Sequence, residues 1–151
     1  MSESENVNTV NHSTETYKNI GDKTRIDLLT LANMFLHASY WFLTLSSSST
    51  NLNLPGFAWA TKEKEKKCKD AALMIMNLIH ERGESLDLAD IAKPRYQESE
   101  LSSTFIAKRW NDVEDWIENK IKEINDSLEP KDKEATEKFL DSLLHLLKSV
   151  S

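Results

Sequence analysis

The sequence predicts an all-α fold: a four-helix bundle made of two antiparallel hairpins joined by a long crossover. The 151 residues are 39% apolar but include only three Gly and three Pro, which is too little turn punctuation for a strand-rich fold. Apolar residues recur at helical spacing in four long segments. Between the second and third segments, residues 84–97 form an irregular stretch that is long enough to run along a bundle.

A chain of this length fits one domain with a single core. Residues 1–22 are rich in Ser, Asn, Thr and Glu and lack periodicity, so we predict a disordered polar tail there. The bundle domain is predicted over 23–151. No further apolar segment follows the fourth helix, so no fifth helix is expected.

The first helix is predicted over about 23–46, and a Ser-rich loop with Pro55-Gly56 as its breaker follows over 46–56. The second helix should begin near Phe57 and continue to Arg82. The residues of the first helix that recur at helical spacing are Ile26, Leu29, Asn33, Leu36, Tyr40 and Leu43.

The second helix has no apolar residue between Thr61 and Lys67, so its first half is expected to bury little and to be either exposed or packed through Lys stems. The third helix is predicted over about 98–127 and, after a turn at Pro130, the fourth over about 131–150. Their apolar stripes comprise Leu101, Ile106, Trp110, Val113, Ile117, Ile121 and Ile124, then Phe139, Leu143, Leu146 and Leu147.

Charge and cysteine content exclude several classes of protein. The formal charge of −6 argues against a nucleic-acid binder, because phosphate contacts need a basic face. The start of the chain lacks a signal-peptide pattern, and no run approaches the ~20 apolar residues of a membrane span. The lone Cys68 cannot form an intrachain disulfide. A cytoplasmic protein without membrane contact is therefore expected.

Three local stretches resemble one known family. Asn33-Met-Phe-Leu-His-Ala-Ser-Tyr-Trp-Phe-Leu-Thr-Leu-Ser46 resembles the first-helix signature of ferritin subunits. Leu54-Pro-Gly-Phe-Ala58 is similar to the start of the second helix in invertebrate ferritins. Arg82-Gly-Glu-Ser-Leu-Asp-Leu-Ala-Asp-Ile-Ala-Lys-Pro94 resembles their crossover. In this order and spacing, they imply a ferritin-like four-helix bundle.

The resemblance also implies that the iron-oxidising site is lost. Catalytic ferritins resemble other di-iron bundles, with a Glu on the first helix, a Glu-x-x-His pair on the second and further carboxylates. No Glu-x-x-His occurs anywhere in this sequence. The positions that match the iron ligands and a nearby tyrosine of the family are occupied by Phe35, Phe42, Cys68, Ala71 and, on or next to the third-helix position, Asn111.

We therefore expect no enzyme activity, cofactor or metal. The leading hypothesis is a catalytically inactive ferritin-like subunit with a structural or co-assembling role in an iron-storage-type oligomer, whose partners are itself or other ferritin subunits. The alternative is a helical protein-interaction module that has lost iron function. Its possible partner surface comprises Phe105, Trp116, Lys62 and Lys66. Two interpretations of Cys68 are open: a reactive thiol activated by neighbouring lysines, or a small buried side chain. The second is favoured.

Overall fold

A computed structural model describes residues 21–81, Pro94 and 101–149, and these residues form four helices and no strand. The helices are α1 (Asp22–Asn51), α2 (Pro55–Glu81), α3 (Ser103–Asp126) and α4 (Pro130–Lys148). The all-α prediction is confirmed. Residues 1–20 of the predicted tail, and the predicted crossover apart from Pro94, lie outside the described residues.

The end of α1 differs from the prediction, because the helix continues through the Ser-rich run to Asn51. The hydroxyls in this run bond within the helix: Ser49 Oγ donates to the Leu45 carbonyl at 2.8 Å and Thr50 Oγ1 to the Ser46 carbonyl at 3.1 Å. Short polar side chains that bond back to the preceding turn need no partner outside the helix. The predicted loop at 46–56 therefore shrinks to a turn of three residues, 52–54, where Asn53 adopts a positive φ of 59°.

The buried face of α1 agrees with the predicted stripe only in part: Leu29 is buried and Leu36 packs partly against the core. Ile26, Tyr40 and Leu43 are 53%, 37% and 45% exposed. The second half of this helix is apolar almost all round, so its spacing alone does not select the inner face. The residues of this helix that face the core are Leu28, Leu29, Leu31, Ala32, Phe35, Ala38, Phe42 and Leu45.

The other helices begin at recognisable local signals. Pro55 and Pro130 occupy the first positions of α2 and α4, where a missing N–H is tolerated and the fixed φ suits the helix. Ser102 caps α3 by accepting a hydrogen bond from the Phe105 N–H at 3.1 Å. The predicted boundaries at residues 57, 98 and 131 thus move to 55, 103 and 130.

Side-chain contacts establish the helix directions. Ser46 near the end of α1 donates to the Ala58 carbonyl near the start of α2, and Ser39 donates to Glu65 further along. These two helices therefore run antiparallel. On the other side of α1, the Phe42 ring meets Trp110 and the His37 ring meets Trp116, so α1 and α3 are antiparallel as well. It follows that α2 and α3 point the same way.

The fourth helix packs between α2 and α3, so the neighbours around the bundle are α1, α2, α4 and α3 in turn. The start of α4 also touches the start of α1, where the buried Asp132 carboxylate accepts from the Gly21 N–H at 3.3 Å and from Thr24 Oγ1 at 3.0 Å. All four helices contribute to one core. With 19 residues, α4 is the shortest of the four.

One helix within the described ranges, α1, is long and apolar enough to cross a membrane by length and composition. Half of its most apolar window is buried inside the bundle, and the core helix of a soluble protein meets the same criteria. This helix is weak evidence for a membrane span.

Candidate functional site

A fully buried lysine lies at the centre of the bundle. Lys64 on α2 has no exposed surface, and its Nζ lies 2.5 Å from Glu114 Oε2 on α3. The same ammonium donates to the backbone carbonyl of Leu147 at the end of α4 and lies 5.3 Å from the centroid of the Trp110 ring. Lys64 thereby links three helices through one charge.

Glu114 also faces a second lysine. Lys148 Nζ, in the last turn of α4, lies 3.9 Å from Glu114 Oε1 and 2.9 Å from Glu118 Oε1. The hydrogen bond between Lys148 and Glu118 lowers the pKa of the Glu118 carboxyl and raises the pKa of Lys148. The result is a chain of alternating charges from the interior to the surface, Lys64 to Glu114 to Lys148 to Glu118.

A second carboxylate is buried beside Lys64 on the α1 side. Glu65 is 6% exposed, accepts from Ser39 Oγ at 3.3 Å and pairs with Lys69 Nζ at 3.2 Å. Lys69 itself is 56% exposed at its side chain, so it reaches Glu65 from the solvent. Both buried charges of this turn of α2 are therefore partnered, as buried charges must be.

Cys68 lies one turn after Lys64 and is fully buried. Desolvation by burial raises the pKa of its thiol to about 12; the Lys64 charge opposes this, whereas Glu114 and Glu65 add to it. Because the thiolate is the reactive form, the neutral, buried thiol is inert. The reading of Cys68 as a structural residue fits this environment better than a nucleophile does.

The chemistry open to this cluster is limited. Among the described residues, no three His, Cys, Asp or Glu side chains group closely enough to hold a metal ion. The Lys64 ammonium is closed off from solvent and its surroundings supply two oxygen acceptors. We interpret the cluster as a polar link that sets how α2, α3 and α4 meet, rather than as a centre that meets a substrate.

Four of the five positions predicted from lost iron ligands lie together in the interior. Phe35, Phe42, Cys68 and Ala71 all have no exposed surface. The Phe42 ring meets the Trp110 ring edge-on, with centroids 5.3 Å apart. Two phenyl rings, a neutral thiol and a methyl group offer no charged oxygen or imidazole to a metal.

Asn111 lies apart from these four residues. It is exposed and lines a shallow pocket with Phe57 and Ala107, between the starts of α2 and α3. The third-helix carboxylate that faces the interior is Glu114, three residues further on. The prediction that Asn111 lies on or next to an inward position is therefore wrong for Asn111 itself, which is exposed.

The residues of the predicted partner surface fall into two separate groups. Trp116 on α3 is 43% exposed and lies edge-on to His37 of α1, with centroids 5.4 Å apart. Phe105, earlier on α3, packs partly against the core, and its ring centroid lies 5.3 Å from Arg109 Cζ. Lys62 and Lys66 are exposed on α2, diagonally across the bundle from α3. The four do not form one continuous surface.

The prediction that the first half of α2 buries little is wrong, since Thr61, Lys64 and Glu65 are all buried. A signal was present in the sequence. Counting back from Cys68 at helical spacing reaches Lys64 and then Thr61, so both lie on the stripe of the later apolar residues. Glu114 likewise lies four residues after Trp110 on the stripe of α3. The pattern that indicates such a buried pair is a basic residue on the apolar stripe of one helix and an acidic residue on the apolar stripe of another.

Comparison with known proteins does not add a family assignment. No protein-family model matches the chain, and no curated protein sequence matches it significantly.

Proposed function

We propose that this chain is a ferritin-like four-helix subunit without iron-oxidising chemistry, with a structural or co-assembling role in an iron-storage-type oligomer. The observation that carries the proposal is the content of the bundle centre. Phe35 and Cys68 are buried where the family resemblance implies iron ligands, and Phe42 is buried where it implies the nearby tyrosine. The Lys64 ammonium lies in the same interior, paired with Glu114.

This interior opposes iron for two physical reasons. Ferrous and ferric ions need several hard oxygen or imidazole ligands that converge on one point, and hydrocarbon supplies none. A fixed ammonium in a medium of low dielectric also repels a second cation and already neutralises the carboxylate of Glu114. The bundle is thus stabilised without the metal charges that a di-iron site would add.

The arrangement of helices supports the ferritin-like part of the proposal. Two antiparallel hairpins, α1 with α2 and α3 with α4, leave α2 and α3 diagonal and parallel. The 21 residues 82–102 between them reach at most ~69 Å at ~3.3 Å each, whereas α2 is ~40 Å long. A single crossover along the bundle is the connection that distinguishes ferritin-like folds from simple up-and-down bundles.

Iron oxidation tests the loss of chemistry. Ferrous iron is added to the purified protein under air, and ferric products are followed by absorbance, with a catalytic ferritin subunit as positive control. We expect a rate equal to that of buffer alone. Rapid oxidation that scales with the protein concentration would refute the proposed inactivity.

Native mass tests the assembly role. The protein is measured alone and after refolding together with a catalytic ferritin subunit. We expect oligomers that contain both chains, since the proposal is a co-assembling subunit. A monomer or dimer that never enters the mixed oligomer would refute this part, even if the iron assay gives the expected result.

The same outcome would favour the second candidate, a protein-interaction module that has lost iron function. One observation supports it: on the α1/α3 face, Trp116 is 43% exposed and Arg109 lies between the Trp41 and Phe105 rings. Trp and Arg are the residues most enriched at binding hot spots. In that case Trp116→Ala should abolish partner binding and leave the native mass unchanged.

A further inference from the structure

We propose that a pocket between α1 and α3 binds a small aromatic carboxylate, with two indoles holding the ring and Arg109 holding the carboxylate. The pocket has a volume of about 250 Å³. We call it the aromatic pocket; its lining residues are His37, Trp41, Arg109, Asp112, Val113 and Trp116. The inference is independent of the ferritin-like proposal.

The walls of the aromatic pocket suit a flat ring. Trp41 and Trp116 come from different helices, and Trp116 is steadied by an edge-on contact with the His37 ring at 5.4 Å between centroids. Indole rings offer a large stacking surface and have few rotatable bonds to immobilise, so they bind a planar ligand at low entropic cost.

Arg109 supplies the charge. Its Cζ lies 4.9 Å from the Trp41 ring centroid and 5.3 Å from that of Phe105, so the guanidinium is held between two rings. Its Nε is buried and has no hydrogen-bond partner among the residues that the structure describes. Because Nε is closed to solvent, a ligand in the pocket meets the guanidinium at its terminal nitrogens.

The nearby carboxylate does not satisfy this arginine. Asp112 Oδ2 lies 3.7 Å from Arg109 Nη1, which is beyond hydrogen-bond distance, and the same oxygen accepts from Lys108 Nζ at 3.1 Å. Arg109 therefore retains donors for a planar anion. A carboxylate matches the guanidinium fork in geometry and can accept two parallel hydrogen bonds.

The dimensions select the ligand size. The volume lies below the ~300 Å³ at which drug-sized sites begin, so the pocket takes one ring or a fused pair of rings rather than a nucleotide. The indole walls favour a ligand with an aromatic ring, and the partly unsatisfied guanidinium favours a ligand with a negative charge.

The test is a titration of the isotope-labelled full chain with benzoate, followed by the NMR signals of the indole N–H groups. The chain has four Trp residues, so Trp59 and Trp110 act as internal controls. We expect saturable shifts at Trp41 and Trp116 and none at the two controls. Benzamide, which is neutral, and acetate, which lacks the ring, should bind at least about tenfold more weakly.

Two matched pairs of variants test the assigned roles. Arg109→Lys keeps the charge but loses the fork and should weaken benzoate binding about tenfold, whereas Lys122→Met on the exposed end of the same helix should leave it unchanged. Trp116→Leu should weaken binding, and Trp59→Leu should not. Circular dichroism confirms that each variant is folded.

The proposal is overturned if benzoate and benzamide bind wild-type protein equally, or if Arg109→Lys binds as well as wild type. Absence of saturable shifts up to ~10 mM benzoate would also overturn the proposal, since the binding free energy would then be weaker than about 3 kcal/mol.

Discussion

Removing the buried ammonium gives the sharpest test of the interior. Lys64→Met keeps the length and flexibility of the side chain and its apolar stem while it deletes the charge. Among the described residues, Glu114 then retains the ion pair with Lys148, at 3.9 Å, and the Leu147 carbonyl loses the Lys64 donor. Glu114 is 12% exposed at its side chain, so water replaces the lost partner only in part.

The magnitude follows from these contacts. Breaking a buried pair by removal of one partner costs about 3–5 kcal/mol, and the remaining Lys148 contact places this case near the lower end. We therefore expect the free energy of unfolding to fall by about 3 kcal/mol. With a urea dependence of about 1–3 kcal/mol/M, the midpoint should move down by about 1–3 M.

The assay is urea unfolding followed by circular dichroism at pH 7. Lys62→Met is the matched control, because Lys62 is exposed two residues earlier on the same helix, and it should change stability by less than ~0.5 kcal/mol. The double variant Lys64→Met/Glu114→Leu removes both charges. It should recover much of the loss, since replacing a whole buried pair by apolar groups is often close to neutral.

Two results would refute this reasoning. If Lys64→Met is as stable as Lys62→Met, the ammonium is not held in the interior. If the double variant loses as much as the two single variants together, Lys64 and Glu114 do not interact, because a coupled pair must deviate from additivity.

Three more outcomes can be checked. Asp132→Ala should lower the unfolding free energy by about 1–3 kcal/mol because two donors lose their acceptor, whereas the exposed Glu134→Ala should not. Cys68, with a pKa of about 12, should resist a thiol reagent at pH 8 until urea unfolds the protein; rapid native labelling would contradict its burial. Lys148 lowers the pKa of Glu118 below its ordinary 4.5, so the pair contributes its full stability above pH 4.5 and loses that contribution as the pH falls through the lowered pKa. Glu118→Gln should therefore lower the free energy of unfolding by less than about 1 kcal/mol at pH 7. Below the lowered pKa, the variant and wild type should be equally stable.

The sequence was sufficient for the all-α class and for the four helices of the described residues, because stripes such as that of α3 from Ile106 to Ile124 have a clear period. It was not sufficient for the inner face of α1. Apolar residues surround the second half of that helix, so only packing against α2 and α3 decides that Phe42 is buried while Leu43 is exposed.

The interior was predicted in part. Phe35, Phe42, Cys68 and Ala71 are all buried, as a core filled with apolar and small residues requires. Lys64 and Glu114 were missed because each is ordinary as a surface residue, and only their position across the bundle makes them a pair. Each lies on the apolar stripe of its own helix, but only the fold brings two residues that are 50 apart in sequence into contact.

The Asp132 contact with the start of α1 has a consequence for how the chain folds. Its hydrogen bond to Thr24 joins residues 108 positions apart. Closing a loop of that length costs about 4 kcal/mol of chain entropy beyond a constant, and non-local contacts of this kind slow folding. During synthesis, α1 and α2 can pair as soon as both have emerged, but the first turn of α1 has no acceptor at Asp132 until α4 arrives. The beginning of the bundle is therefore completed only by its last helix.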